Sequence, residues 1–355
     1  MPSSVLNQIP GYPDMSSLAA SVRPLRRFAL DNRLAADHAA AELRADVLTG
    51  LVQPAGNKWM PPKWFYLGEG SDDFEAIATA VPEYYLGRAE SEILRSRSDE
   101  IAALTRASTL IELGSGSSQK THQLLTALTA KQSLQQLVLL DVSASALVGA
   151  GTHLVDAYPA LAITALVDDY TAAIDLPQTS GPRLFCFLGS SIGNFTPAER
   201  ALFLRRLRKS MAPGDHLLLG TDLVKAEQYL IPAYADAAGV TCRFNRNLLR
   251  VINDILGADF DVEAFEHEVR WDPEREQINM FLRSSVDQIA TVPCLDLKIP
   301  FAAGELLHTE TCAKFRKEGV RTELSVAGLS LEKWWEDERG RFGLSLAQAV
   351  GVATD

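Results

Sequence analysis

The sequence lacks a cysteine motif, a long apolar run and an excess of positive charge. Its four cysteines are scattered, with neither a C-x-x-C pair nor the spacing of a zinc site. No stretch is apolar for long enough to cross a bilayer. The net charge of −11 disfavours nucleic acid or an anionic membrane as the main partner. These absences predict a cytoplasmic enzyme that contains neither a disulfide framework nor a metal centre.

A third glycine is missing from the stretch that organises the chain. Residues 109–121 predict a buried strand, a glycine turn and the first turn of a helix. Gly114 and Gly116 let a ligand approach the main chain closely, but Gln119 stands where a dinucleotide fingerprint has its third glycine. A carboxylate at Glu112 would be unfavourable beside a pyrophosphate. It suits S-adenosylmethionine, which carries a sulfonium, an amine and no phosphate. The stretch therefore favours S-adenosylmethionine, with a nicotinamide as the alternative.

Two further predicted strands end in acidic residues. The apolar run 137–140 leads to Asp141, at the distance from the first glycine that places an acid on ribose hydroxyls. The alternative role of Asp141 is to cap the helix that follows. The run 162–167 leads to Asp169 and Tyr170, an acid and an aromatic ring that would bracket a purine. A solvated loop is the alternative for these two residues.

The strand predicted at 183–188 runs into a second loop with the character of a binding site. It contains Gly189 and Asn194 and lies at the carboxyl end of a buried strand, where ligands bind in open α/β sheets. Asn194 offers both a donor and an acceptor. The alternative is that Asn194 is a turn or cap residue before the next helix.

The alternation of strands and helices breaks between Lys225 and about Lys314, where two helices and a hairpin are predicted. We therefore expect an α/β fold with a Rossmann-like, seven-stranded sheet formed by residues 89–224 and 315–355. A second, α+β domain for substrate binding would consist of residues 1–88 and 225–314. Within it, a helix is predicted from about Leu30 to Val52.

Aromatic residues are concentrated in the N-terminal part of this second domain. Trp64 and Phe65 are predicted to seal a core. Tyr66 and Tyr84 suit a core position and a pocket wall equally, because a tyrosine has an apolar ring and a polar tip.

Several strings of residues together resemble one family, the L-histidine Nα-methyltransferases of the ergothioneine pathway, over nearly the whole chain after residue 30. The strings are Pro61-Pro62-Lys63-Trp64-Phe65-Tyr66, Pro82-Glu83-Tyr84-Tyr85, Glu112-Leu113-Gly114-Ser115-Gly116, Gly193-Asn194 with Thr196-Pro197, Phe244-Asn245-Arg246-Asn247, Asp259-Phe260-Asp261 through Ala264-Phe265-Glu266-His267, and Thr309-Glu310 with Lys314-Phe315-Arg316. The resemblance implies a class I S-adenosylmethionine-dependent methyltransferase that converts L-histidine to trimethylhistidine (hercynine).

The resemblance also implies roles for individual residues. Gly114, Lys120, Asp141, Asp169 and Tyr170 match the family's cofactor-binding positions, and the glycine stretch itself adds Glu112 and Gly116 to the predicted cofactor site. The substrate-binding positions are Tyr66, Tyr84, Gly189, Asn194, Tyr234, Met280, Glu310 and Cys312. In the family, the asparagine and a tyrosine hold the α-amine, so Asn194 and Tyr84 are the expected catalytic residues. Other tyrosines and the glycine loop hold the carboxylate, and the glutamate with a neighbouring hydroxyl holds the imidazole.

The chain departs from the family pattern at two places. Cys312 stands where the family usually has serine, and a thiol is a weaker hydrogen-bonding group than a hydroxyl. The loop reads Gly189-Ser190-Ser191 where more glycine is expected, which questions its geometry but not its role.

Other functions are weighed against the histidine methyltransferase. A tryptophan or indole N-methyltransferase of the same fold would favour a small or apolar residue at position 310 and a smaller one at 280. A non-catalytic S-adenosylmethionine sensor would not need the set Tyr84, Asn194 and Glu310. His153, His267 and His308 lack metal-ligand spacing, so no metal is expected. The expected protein is a monomer whose partner is a small molecule.

Overall fold

The computed structural model describes residues 27–34, 37–116, 118, 120–171 and 175–351. Gln119 and residues 1–26 of the predicted second domain lie outside this part of the chain. The chain divides into two compact units. The large unit comprises Pro24–Leu34, Leu86–Lys225 and Ala313–Asp355, and the small unit contains Ala35–Tyr85 and Ala226–Cys312.

The large unit is built on a sheet of eight described strands in the order β1-β4-β3-β2-β5-β6-β13-β12. These are β1 (Phe28–Asn32), β2 (Thr109–Leu113), β3 (Gln136–Asp141), β4 (Ala162–Val167), β5 (Arg183–Phe187), β6 (His216–Asp222), β12 (Leu329–Glu336) and β13 (Phe342–Ala349). The strands β1 to β6 run parallel, and β13 is antiparallel to both β6 and β12. This is the topology expected of the Rossmann-like core.

The strands at the centre of this sheet are continuous apolar runs because both of their faces are covered. All five residues of β2 are buried, as are all seven of β6. The helices of the unit are α3 (Leu86–Thr105), α4 (His122–Ala130), α5 (Ala144–Ala157), α6 (Pro197–Ser210) and α9 (Lys317–Val326). The alternation of strand and helix places the carboxyl ends of β2 to β5 at one edge of the sheet.

Strand β1 corrects two predictions. It pairs in parallel with β4, with Phe28 opposite Ile163, so the sheet has one more strand than the seven expected. It also belongs to the large unit, whereas residues 1–88 were assigned to the second domain. The predicted helix from Leu30 to Val52 begins only at His38, in α1. The cause is that β1 is a short edge strand with four exposed or half-exposed residues after Phe28, so it shows no apolar alternation.

The small unit combines helices with antiparallel strands. Its helices are α1 (His38–Gly50), α2 (Gly70–Ala80), α7 (Glu227–Tyr234) and α8 (Val240–Leu256). Its strands are β7 (Phe265–Asp272), β8 (Gln277–Ser284), β9 (Gln288–Val292), β10 (Leu297–Phe301) and β11 (Leu306–Ala313). One sheet has the order β11-β8-β7, and β9 pairs with β10 in another. The predicted hairpin is β7 and β8, with Phe265 opposite Ser284.

Helix α8 organises the core of the small unit. Its buried apolar side chains recur at helical spacing, from Phe244 through Leu248 to Ile252. The Asn247 Nδ2 group donates to the Phe65 carbonyl oxygen at 2.8 Å and to the Leu67 carbonyl oxygen at 2.7 Å. Trp64 and Phe65 are buried, as predicted. The segment that contains Trp64 and Phe65 is therefore held against α8 by ring packing and by hydrogen bonds from the Asn247 side chain to main-chain carbonyl groups.

Candidate functional site

The glycine turn after β2 requires glycine at its first position. Gly114 has φ +67°, and a Cβ atom there would lie 3.4 Å from the Cε1 atom of Tyr170. Its N–H donates to the Leu140 carbonyl oxygen at 2.8 Å, which fixes the turn against β3. At Gly116, with φ +48°, a Cβ atom would meet no described residue within 4 Å. The main chain at Gly116 is therefore open to a ligand.

Glu112 is a buried carboxyl group directly beneath this turn. Its two oxygens accept hydrogen bonds from the hydroxyls of Thr121 and, at 3.0 Å, Ser118. Burial raises the pKa of Glu112 to about 7, although both hydroxyls and the charge of Lys120 act to lower it. A cation bound nearby would favour the ionised form. The arrangement is suited to a positively charged ligand.

We expect Glu112→Gln to stabilise the protein while weakening its affinity for S-adenosylmethionine. Because the pKa of Glu112 is higher in the folded state than in the unfolded state, ionisation of its carboxyl group destabilises the folded protein as pH rises from 4.5 through about 7. Above that range, the neutral amide should raise the free energy of unfolding by about 3 kcal/mol. Urea denaturation at alkaline and acidic pH measures the difference, which should shrink below pH of about 5. Glu100→Gln, on the surface near Arg97, is the control and should change little. Equal stability of wild type and Glu112→Gln at alkaline pH would contradict the prediction.

Asp141 ties the end of β3 to the glycine turn. Its Oδ2 atom accepts from the Gly116 N–H at 2.9 Å, and its Oδ1 atom accepts from the Ser143 N–H at 2.9 Å. The N-cap of α5 is Ser143, whose hydroxyl accepts from the Ala146 N–H. Asp141 is therefore not the helix cap. Burial raises its pKa, against three backbone hydrogen bonds that lower it.

Tyr170 follows β4 and packs against the same glycine turn. Its ring lies edge-on to Phe187 with centroids 5.4 Å apart, and close to Gly114. Burial, followed by the charges of Asp141 and Asp169, raises the pKa of the Tyr170 hydroxyl. The Asp169 Oδ1 atom accepts from the Thr171 N–H at 2.7 Å. The aromatic ring and the two acids thus cluster at the carboxyl ends of β3 and β4.

The loop after β5 has two consecutive residues in the left-handed region. Gly189 has φ +80° and Ser190 has φ +67°. Glycine was expected at more positions because a side chain is strained in this conformation. The Ser190 hydroxyl compensates by accepting from the Asp222 N–H at 2.8 Å. Serine at 190 therefore keeps the loop geometry that glycine would allow.

Asn194 ends a short 3₁₀ turn, Ser191–Asn194, and is not the cap of the next helix. The N-cap of α6 is Thr196, which forms a capping box with Glu199. The structure thus excludes the cap alternative and leaves Asn194 as a half-buried polar residue near the carboxyl end of β5. Gly189 and Asn194 belong to the large unit, and the other predicted substrate residues belong to the small unit.

Two tyrosines of the small unit flank one phenylalanine. The Tyr66 ring lies edge-on to Phe74 and to Phe244, each at 5.2 Å between centroids. The Tyr84 ring lies edge-on to Phe74 at 6.3 Å. Both tyrosines are half-buried, so each packs its ring in the core and keeps part of its surface accessible. Tyr66 and Tyr84 thus both pack against the ring of Phe74.

Tyr234 and Cys312 form a second pair in the small unit. The Tyr234 hydroxyl lies 2.9 Å from the Cys312 Sγ atom, and both residues are buried. His267 contributes to this arrangement, because its Nε2 atom lies 2.7 Å from the Tyr234 carbonyl oxygen and must donate to it. Its Nδ1 atom accepts from the Asn245 Nδ2 group at 2.8 Å. His267 is thus a neutral structural residue, and burial lowers its pKa.

Glu310 lies on β11 at a local irregularity of the strand. The Thr311 hydroxyl bonds both the Asn279 Oδ1 atom at 3.1 Å and the His308 Nε2 atom at 3.2 Å. The alternation of buried and less buried residues is interrupted here, because Thr309 and Glu310 are both buried. Glu310 is 9% exposed, and Met280 on the neighbouring β8 is 1% exposed. Glu310 is therefore a buried acid and not an exposed one.

The described residues provide neither a metal site nor a membrane span. No group of histidine, cysteine, aspartate or glutamate side chains among them is arranged to hold a metal ion. Within the same part of the chain, every helix is too short or too polar to span a bilayer.

Comparison with known families shows what this arrangement belongs to. Residues 43–349 match the model of the family described as histidine-specific methyltransferase, SAM-dependent. The chain is a member of that family. The nicotinamide alternative is thereby excluded, because the family uses S-adenosylmethionine. The core sheet is the class I fold of such methyltransferases.

Curated relatives of this histidine-specific family cover most of the chain. A histidine N-alpha-methyltransferase of Mycolicibacterium smegmatis is 51% identical, over 90% of this chain and 98% of that protein. One of Mycobacterium tuberculosis is 50% identical, over 90% of this chain and 99% of that protein. An L-tryptophan methyltransferase of Psilocybe serbica is 26% identical, over 85% of this chain and 91% of that protein. The identity is thus far higher to the two histidine enzymes than to this tryptophan enzyme.

The large unit fits the family's cofactor. Gly116 leaves open main chain, and the carboxyl groups of Glu112 and Asp141 surround the turn. Ser115 Oγ is buried without a hydrogen-bond partner among the described residues, so a polar group of a ligand would satisfy it. Sequence reasoning missed one participant in this region, Glu90, which lies at 2.7 Å from Lys120. The sequence signal for Glu90 was an acid at a position of α3 where the helical spacing predicts a buried apolar residue.

Proposed function

We propose that this protein transfers three methyl groups from S-adenosylmethionine to the α-amine of L-histidine, giving hercynine for ergothioneine synthesis. The observation that carries the proposal is the 51% identity to the Mycolicibacterium smegmatis histidine N-alpha-methyltransferase over 98% of that protein. A buried acid at Glu310 supports histidine as the substrate, because an imidazole N–H is a suitable partner for a desolvated carboxylate.

The chain's residues have separate tasks in this proposal. Asn194 and Tyr84 hold the α-amine and direct its lone pair, while Tyr66 and the Gly189 loop bind the substrate carboxylate. Glu310 binds the imidazole, and the Tyr234–Cys312 pair takes the place of the usual hydroxyl contact. Met280 packs against the substrate side chain. Each task requires a fixed side chain, and the ring packing of Tyr66 and Tyr84 supplies that rigidity.

The cofactor is assigned to Glu112, Gly114, Gly116, Lys120, Asp141, Asp169 and Tyr170. When bound, S-adenosylmethionine supplies an electrophilic methyl group on a cationic sulfur. The substrate nitrogen must be neutral, so one proton leaves the amine before each transfer, and the product of the third has no N–H. Water can accept these protons, so the residues contribute mainly by aligning the amine. No strong general base is required.

Mass spectrometry of the purified protein with S-adenosylmethionine and each common amino acid tests the function. The expected result is addition of three methyl groups to L-histidine alone. Methylation of tryptophan instead would support the second candidate, against which Glu310 and the bulky, buried Met280 argue. Failure to methylate histidine, with S-adenosylmethionine still bound, would overturn the substrate and leave the cofactor. An intact protein that binds S-adenosylmethionine and methylates none of the amino acids would instead favour the sensor.

We expect Cys312→Ser to lower KM for L-histidine by about 3-fold to 10-fold. A hydroxyl is a stronger donor and acceptor than a thiol, and one improved hydrogen bond contributes about 1 kcal/mol. Steady-state kinetics should show little change in kcat, because the imidazole is remote from the reacting amine. Cys294→Ser, at an exposed position, is the control. A raised KM in Cys312→Ser would show that the thiol is the preferred neighbour of Tyr234.

The proposal includes a monomer that works in the reducing cytoplasm. All four cysteines are free, which is consistent with such a compartment. Light scattering of the purified protein measures its mass, and a value near twice 38.7 kDa would contradict the monomer.

A further inference from the structure

Glu90 is a carboxylate in the buried register of α3. Its side chain is 0% exposed, and Leu86, Ala89, Ile93 and Leu94 of the same helix are also buried. A carboxylate in such surroundings is costly unless its oxygens are paired and hydrogen-bonded. An alanine or leucine would complete the apolar register of the helix. The hydrogen-bond and ion-pair partners of Glu90 therefore have to account for an acid at this position.

The partners of Glu90 are the two loops that carry the predicted cofactor and substrate residues. Its Oε2 atom lies 2.7 Å from the Lys120 Nζ atom, in the segment that follows the glycine turn. Its Oε1 atom accepts from the Gly189 N–H at 2.8 Å, in the loop after β5. Both loops belong to the large unit, as does α3. One buried carboxylate thus connects two separate loops.

The main sheet leaves space for the Glu90 carboxylate at Gly220, which has no side chain. A Cβ atom on Gly220, in β6, would lie 2.3 Å from the Glu90 Oε1 atom. At Gly189, a Cβ atom would lie 3.3 Å from the Lys120 Nζ atom and would be strained at φ +80°. Glycine at 220 and at 189 therefore makes space for the ion pair from both sides. The two glycines and the two charged residues form one fitted group.

We propose that Glu90 is a positioning residue for methyl transfer, which holds the Lys120 ammonium and the Gly189 peptide in one arrangement. The Lys120 side chain is 33% exposed, so its ammonium group could turn towards solvent. The ion pair with Glu90 holds it in one direction instead. The Gly189 N–H points to Glu90, which fixes the orientation of the peptide at the start of the loop that leads to Asn194. Loss of the Glu90 charge then disturbs the binding of cofactor and substrate together. This inference rests on the proposed function for the substrate part only.

The test compares Glu90→Gln, Lys120→Met and the double variant. Glutamine keeps an acceptor for the Gly189 N–H but removes the charge that holds Lys120. We expect Glu90→Gln to raise the Kd for S-adenosylmethionine about 10-fold, since hydrogen bonds to charged groups are about twice as strong as neutral ones. KM for L-histidine should rise alongside, with a smaller change in kcat. The double variant should bind no more weakly than Lys120→Met alone, because the two side chains act as a unit.

Glu92→Gln is the matched control. Glu92 lies on the same helix and its Oε1 atom also accepts a backbone N–H, from Glu338 at 2.7 Å. We expect this variant to bind S-adenosylmethionine as the wild type does. Thermal denaturation of each variant separates folding from positioning, and Lys120→Met keeps the test usable if Glu90→Gln does not fold, since Lys120 is partly exposed.

Two outcomes would overturn the proposal. One is a lowered melting temperature of Glu90→Gln with unchanged Kd and KM, which would make Glu90 a structural ion-pair partner only. The other is an additive loss of cofactor affinity in the double variant. Calorimetric binding of S-adenosylmethionine needs no turnover, so the Glu90 effect is measurable even if wild type does not methylate histidine. The proposed function and the role of Glu90 can therefore fail separately.

Discussion

Glu310→Ala is expected to lower kcat/KM for L-histidine by about 100-fold and to remove the preference for histidine over other amino acids. A hydrogen bond to a charged group contributes up to about 3 kcal/mol, which corresponds to about two orders of magnitude in kcat/KM. Glu310 is 9% exposed, so solvent screens its interaction little. The measurement is a competition assay in which mass spectrometry follows several amino acids at once.

Selectivity in this prediction comes from a penalty on the wrong ligand. An apolar amino acid bound to the wild type would leave the desolvated carboxylate of Glu310 without an imidazole donor. The variant removes that penalty, so its activity on apolar amino acids should rise relative to histidine.

Glu266→Ala is the control for the Glu310 experiment. Glu266 lies on β7 in the same sheet, and its side chain is 52% exposed in an ion pair with Arg283. We expect unchanged kinetics in this variant, because an exposed pair contributes little. Retention of full histidine activity and selectivity by Glu310→Ala would show that the imidazole is recognised elsewhere.

Asp222→Asn is expected to lower the free energy of unfolding by about 3 kcal/mol or more. Asp222 and Lys314 both have side chains that are 0% exposed, with Oδ2 and Nζ 2.9 Å apart. The Lys225 Nζ atom lies 2.6 Å from Oδ1. Removal of the carboxylate leaves the buried Lys314 ammonium without this counter-charge, and breaking a buried pair costs about 3–5 kcal/mol. Urea denaturation at neutral pH measures the loss.

The same cluster predicts the acid side of the stability profile. Burial acts to raise the pKa of Asp222, but the charges of Lys314 and Lys225 outweigh it and lower the pKa below 3.8. The stabilisation is therefore complete above 3.8 and is lost as pH falls through the lowered folded-state value. Asp222→Asn should abolish this part of the pH dependence.

Glu318→Gln is the control for this experiment, because Glu318 forms an exposed pair with Arg321 at 3.2 Å. We expect a change below about 0.5 kcal/mol. A similarly small loss in Asp222→Asn would mean that the cluster contributes no net stability.

The large unit was predictable because its signals are local. The run from Leu110 to Leu113 followed by Gly114 predicts a strand and a turn without any knowledge of the rest of the sheet. The strand at 28–32 was not predictable, because an exposed edge strand shows no alternation and its partner, β4, lies far along the chain. Its five residues are too few to show a strand pattern that could be distinguished from the helical pattern of the residues that follow.

The location of a candidate site residue was predictable where the end of a strand determines it. The acids Glu112 and Asp141 follow from their places at strand ends. By contrast, Glu90 was not predicted, because its partners at 120 and 189 are distant in sequence and only the fold brings them to one carboxylate.

The order of strands in the main sheet has a consequence for synthesis of the chain on the ribosome. The last strand, β13, lies between β6 and β12 and pairs with both, so Phe342–Ala349 must emerge before the sheet is complete. The small unit likewise needs residues on either side of position 200, because it contains both Ala35–Tyr85 and Ala226–Cys312. Contacts so distant in sequence form slowly and leave apolar strands exposed in the meantime. We expect a nascent chain that stops before Phe342 to be retained by chaperones and degraded, so a late premature stop would remove the protein as completely as an early one.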